Sequence, residues 1–162
     1  MVSRMSPRPE SAESRLAALG IELKPAPTPF GAYAETVQTG NLLYVSGMLP
    51  TVGSKAMFVG KIGREFDVEQ GREAARIAAL NVFSNARQAL GSLDRVRRVV
   101  KLGVSLATEG DFTAHPKVAD AASELLRDVF GEENLPVRLI YGVASLPLGV
   151  PVELEVIFEV ES

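Results

Sequence analysis

Apolar and polar positions along the chain fall into runs of two different periods. From Tyr33 onward short apolar runs predict strands over Ala32–Gln38 and Leu42–Ser46, with Thr39-Gly40-Asn41 as the turn between them. Met57–Lys61 is read as a third short strand. The spacing then changes to that of a helix. Ala75, Ala78, Ala79, Val82, Phe83, Ala86 and Leu90 recur every three or four residues and predict a helix over Val68–Leu90. Asp67 and Gln70 supply a capping box at its start, and Gly91 stands where a helix-ending glycine belongs. The β-branched run Val96–Leu106 predicts a buried strand. A second helix follows over Pro116–Phe130, with Pro116 at the first helical position and Gly131 as its stop. The chain closes with strands over Val137–Ser145 and Val150–Val160, joined as a hairpin by Leu146-Pro147-Leu148-Gly149. In the last strand Val152, Leu154, Val156, Phe158 and Val160 alternate with Glu153, Glu155, Ile157 and Glu159. Strands, helix, strand, helix and hairpin make an α+β fold: one sheet with two long helices on one face.

Before this domain, assigned to residues 30–162, stands an extension, residues 1–29. It is read as a disordered start over 1–9, a short helix over Ser11–Leu19 ended by Gly20, and a connector from Lys24 to Pro29. Three prolines in that connector exclude helix and central strand.

The 162 residues suit one domain, and 46% hydrophobic residues with 6% aromatic imply an aliphatic core. There is no Cys, hence no disulfide, thiolate nucleophile or cysteine-held metal, which fits a cytoplasmic location. The net charge of −3 argues against a nucleic-acid binder. The basic run Arg95, Arg97, Arg98 and Lys101 is read as a solvated strand edge. No apolar run approaches the ~20 residues of a bilayer span, and Arg4 and Arg8 precede no signal-peptide core.

The stretch Pro136-Val137-Arg138-Leu139-Ile140-Tyr141-Gly142-Val143-Ala144-Ser145-Leu146-Pro147, followed by Val152-Glu153-Leu154, resembles the signature of the Rid (YjgF) family. Val45-Ser46-Gly47 resembles that family's Ser-Gly-Gln element, and Gly31-Ala32-Tyr33 its Gly-Pro-Tyr element. The extended N-terminus resembles a longer subgroup. The resemblance implies a chorismate-mutase-like fold. It also implies a homotrimer whose sheets form a central barrel, with small-molecule sites between subunits. The activity implied is hydrolysis of reactive enamines and imines, such as 2-aminoacrylate, to 2-keto acids and ammonia, without metal or cofactor.

The residue types suit that chemistry. An imino acid carries a carboxylate, and the planar guanidinium of Arg138 matches it with two parallel donors. Glu153 is the candidate for directing water at the imine carbon. Ser46, Gly47, Tyr33 and Ile140 are the further substrate-binding candidates. In the expected hairpin Arg138 stands opposite about Phe158 and Glu153 opposite about Val143, which separates the two by ~17 Å at strand rise. A bend, or a second chain, is needed to join them. The sequence departs from the family pattern at Leu139, Ile140, Met48 and Ala121, which predicts a smaller or more apolar pocket. Three functions follow in order: an imine deaminase, a non-catalytic binder of small carboxylates, and a ribonuclease. The last has little support, because His115, the only histidine, is read as a helix-start residue.

Overall fold

The structure, a computed structural model, describes residues 10–162; the expectation for residues 1–9 lies outside them. Helix α1 spans Ala12–Ala18. Strands β1 (Thr36–Thr39) and β2 (Leu42–Met48) form the first antiparallel pair. A small ribbon of β3 (Thr51–Val52) and β4 (Lys55–Ala56) follows, then helix α2 (Val68–Leu90). Strand β5 (Val96–Ala107), helix α3 (His115–Phe130), strand β6 (Val137–Val143) and strand β7 (Val152–Val160) complete the chain. Among the described residues no helix is long and apolar enough to cross a membrane.

Strand order in the five-stranded mixed sheet is β1-β2-β7-β5-β6. Only β5 and β6 run parallel, and α3 supplies the crossover that a parallel pair requires. The terminal hairpin is therefore corrected: β7 does not pair with β6, because β5 lies between them. Residues 144–151 step across two strand spacings, ~10 Å, and β7 gains ladder partners on both edges, β2 on one side and β5 on the other. Element boundaries also move, with β6 ending at Val143 and β7 starting at Val152. Tyr33, Ala34 and Glu35 precede β1 instead of belonging to it. The expected strand at Met57–Lys61 is absent, and the ribbon at Thr51–Ala56, turning at Gly53, was not foreseen. Helix α3 begins at His115, so Pro116 sits one position further in.

The alternation in β7 sorts the faces. Val152, Leu154, Val156, Phe158 and Val160 are buried under the helices, while Glu153, Glu155, Ile157 and Glu159 lie on the opposite, open face. Helix α2 carries both halves of its capping box and ends at Gly91 with φ 83°, a conformation that favours glycine. Its buried Ala74, Ala75, Ala78 and Ala79 have short side chains, which lets it lie close to the sheet. Phe83, Phe130 and Phe158 meet at centroid distances of 5.5 and 5.6 Å and join α2, α3 and β7 in one core.

Helix α1 is part of that core through Ala12 and Leu16. Glu13 accepts hydrogen bonds from Arg87 Nε at 3.0 Å and the Leu93 amide at 2.9 Å. The bond from Arg87, above all, holds its carboxyl below the ordinary carboxylate value. A lowered folded-state pKa stabilises the native state above the unfolded pKa, and that gain disappears as pH falls through the folded value. Glu13→Gln is accordingly expected to cost about 1 kcal/mol at pH 7. Thermal melts of both proteins should converge as acid protonates Glu13.

Candidate functional site

The sheet carries the signature residues on two different faces. Arg138 stands on β6, an edge strand, and turns toward the helices. Its Nη1 donates to Asp120 Oδ1 at 2.7 Å and to Ser123 Oγ at 3.0 Å, both on α3. A cleft of ≈ 380 Å³ opens there, with Asp120, Ser123, Glu124, Arg127, Leu135 and Arg138 among its walls. Ile140 follows on the same side of β6 and packs against the core. Further along, His115 Nε2 lies 2.8 Å from where a Cβ on Gly142 would be. The ring is also braced edge-on by Phe112 at 5.1 Å. His115 thus starts α3 and fills the space left by a glycine.

The open face holds a second cleft of ≈ 280 Å³, with Gly47, Ser105, Leu139, Tyr141, Glu153 and Glu155 among its walls. Burial, and next to it the charge of Glu155, push the Glu153 carboxyl above the ordinary carboxylate range. Such a shift makes a carboxylate a better proton acceptor near neutral pH. Glu155 itself is drawn to Lys101 Nζ at 2.8 Å. Gly47 sits where β2 bulges between Val45 and Met48. A Cβ at this position would lie 2.9 Å from Glu153 Cδ and closer still to Oε1. Gly47→Ala is therefore expected to rotate Glu153 out of place, with little cost to folding because the side chain can give way. Thermal melting should stay near wild type while Glu153-dependent turnover falls about tenfold, the effect of a small misplacement.

Register fixes the distance between the two clefts. Arg138 pairs with Leu102, which faces Val156, whereas Glu153 pairs with Ser105, which faces Tyr141. The offset is three residues along the strands and two strands across, ~10 Å in each direction, with the sheet between. The structure joins Gly47 with Glu153, whereas Ile140 shares a side of β6 with Arg138 but packs on the core and does not line the Arg138 cleft. The structure does not join Arg138 with Glu153. Ser46 is half-buried, and its Oγ donates to Ala34 O at 2.6 Å, pinning the segment before β1 to the bulge. Tyr33 is exposed, and its hydroxyl accepts from the Phe30 amide at 3.0 Å. The departures divide as well. Leu139 lines the Glu153 cleft and Ile140 lies on the Arg138 side. Met48 is buried beneath α2, where its Sδ accepts from Asn85 at 3.1 Å, so it does not narrow either cleft. Asp120 and Ser123 were missed from sequence. Their spacing of three puts them on one side of α3, but only the fold reveals that this side meets Arg138.

Residues 13–159 fit the model of the YjgF/chorismate mutase-like family, whose description also names endoribonuclease. The chain belongs to the YjgF (Rid) family. Among curated YjgF relatives, Protein TCP17 of Trypanosoma cruzi is 42% identical over 150 residues, covering 92% of this chain and 94% of that protein. The 2-iminobutanoate/2-iminopropanoate deaminase of Dermatophagoides farinae is 30% identical over 138 residues, covering 84% and 91%. A crystal structure from Shewanella oneidensis superposes with TM-score 0.89 at 32% identity, covering 93% of this chain and 100% of that one.

Proposed function

We propose that this protein hydrolyses small 2-imino acids, and the enamines that tautomerise to them, to 2-keto acids and ammonia. The observation that carries the proposal is the division of labour across the sheet: a guanidinium with open donors on one face and a carboxylate of raised pKa on the other. The guanidinium of Arg138 would take the substrate carboxylate. Glu153 would accept a proton from water as its oxygen attacks C2 of the imine. The nitrogen gains a proton, a C–O bond forms, and a carbinolamine results. Collapse of that intermediate breaks the C–N bond, releases ammonia and leaves the C2 carbonyl. The relative from Dermatophagoides farinae bears the name of this reaction.

Because one copy holds these groups on opposite faces, the working site in this reading combines Arg138 of one subunit with Glu153 of the next. The open face supports such an assembly. Val37, Tyr44, Val137, Leu139 and Tyr141 are between 43% and 71% exposed. Apolar residues gathered on one face mark an interaction surface. A homotrimer with these faces turned inward would cover them, and β6, the edge strand of the sheet, would carry Arg138 to a boundary between subunits.

The test is a coupled assay in which an amino-acid oxidase generates the imine and keto-acid release is followed. Acceleration over the uncatalysed rate is expected; a rate equal to the blank would contradict the proposal. Leu139 in the Glu153 cleft, exposed by 47%, favours a second reading, a binder of small carboxylates without turnover. That reading predicts calorimetric binding of 2-oxobutyrate with no imine hydrolysis.

A further inference from the structure

Two arginines line the cleft on the helix side, and they are used differently. Arg127 turns its Nε and Nη2 onto Asp128 at 3.3 and 3.2 Å. Arg138 instead gives Nη1 to both Asp120 and Ser123. A terminal guanidinium nitrogen has two hydrogens, so those two acceptors occupy Nη1 fully. Among the described residues the Nε and Nη2 edge of Arg138 meets no acceptor within hydrogen-bond distance. That edge carries parallel N–H groups at the spacing of two carboxylate oxygens.

We propose that Asp120 is a positioning residue for Arg138. Together with Ser123 it grips Nη1 and turns the Nε and Nη2 edge outward, to take the carboxylate of a monocarboxylic 2-imino or 2-keto acid side-on. The inference rests on the function proposed above and adds the residue that aims its anchor. Asp120 has two opposing effects on such a ligand. Its charge repels a second carboxylate, and its hydrogen bond fixes the arginine. Its side chain is 48% exposed, so water and salt weaken the repulsion. The bond of 2.7 Å acts locally and is not weakened in the same way. Glu124, the other carboxylate lining the cleft, is already paired with Arg72 at 2.7 Å. Orientation therefore outweighs repulsion.

Calorimetry with 2-oxobutyrate on the full chain, comparing wild type with Arg138→Ala, Asp120→Ala and Asp120→Asn, separates the possibilities. Asp120→Ala is expected to raise Kd about tenfold, the equivalent of one well-formed charge-assisted bond. Asp120→Asn keeps an Oδ1 acceptor and should stay within about threefold of wild type. In the imine assay Asp120→Ala should raise KM and leave kcat within about twofold, because the carboxylate grip is the same in ground and transition states. Melting temperatures check that each variant folds; a purely structural role would leave Kd unchanged in the folded protein. Unchanged or tighter binding by Asp120→Ala, with Arg138 still required, would overturn the positioning role while leaving the proposed function standing. Absent binding by wild type, or binding that survives Arg138→Ala, would overturn both.

Discussion

Arg138→Ala is expected to lower kcat/KM for 2-iminobutanoate by at least ~10²-fold, with most of the loss in KM. A bidentate, charge-assisted pair with a carboxylate is worth several kcal/mol when it is partly desolvated, and each 1.4 kcal/mol is a factor of ten. Arg138 is 27% exposed and stands between Leu135, Pro136 and α3, so water competes only in part for its donors. Arg138→Lys should recover little. A single ammonium cannot hold Asp120, Ser123 and two ligand oxygens at once. Solution mass of both variants checks that the assembly survives, and steady-state kinetics against imine concentration read the effect.

The second large effect is on Glu153. Glu153→Gln keeps the shape of the side chain and removes the proton acceptor, and is expected to lower kcat by ~10²-fold or more. Its pH dependence follows from the upward shift. Below the raised pKa Glu153 is protonated and cannot accept a proton from water. Wild-type kcat/KM should therefore fall on the acid side at a pH above that of an ordinary glutamate. In Glu153→Gln this limb should vanish. Stability takes the opposite sign. A folded-state pKa above the unfolded value means that the native state binds the proton more tightly, so stability declines as pH rises through that window. At neutral pH Glu153→Gln should melt slightly higher than wild type. Lower activity with higher stability would mark Glu153 as a group kept for chemistry at a cost to folding.

Much of the fold was legible because local patterns were unambiguous. The alanine face, the capping box and Gly91 bounded α2 to the residue, and the alternation in β7 sorted its side chains correctly between core and open face. What sequence pattern could not supply was the order of strands. A short turn with a proline and a glycine at Leu146–Gly149 reads as a hairpin, yet β5 takes the place beside β6 because α3 returns the chain parallel to it. That single topological fact relocates Arg138 and Glu153. A pairing error of this kind changes which residues are neighbours without changing the strands themselves. The small ribbon was missed because two-residue strands carry no periodicity. In the candidate site, Arg138 and Glu153 could be named from motif and chemistry. Asp120 and Ser123 could not, since polar residues at the flank of an amphipathic helix usually face water. Their contact with Arg138 comes from packing between elements that the sequence separates by 15 to 18 residues.

Complementation tests most directly whether catalysis needs Arg138 from one copy and Glu153 from another. Arg138→Ala and Glu153→Gln chains, each inactive alone, would be unfolded together and refolded as mixed oligomers. In a ring of three with random assembly about one interface in four combines an intact Arg138 with an intact Glu153. Imine hydrolysis should then return to roughly a quarter of the wild-type rate. Mixed oligomers that form but stay as inactive as the parents would contradict a shared site.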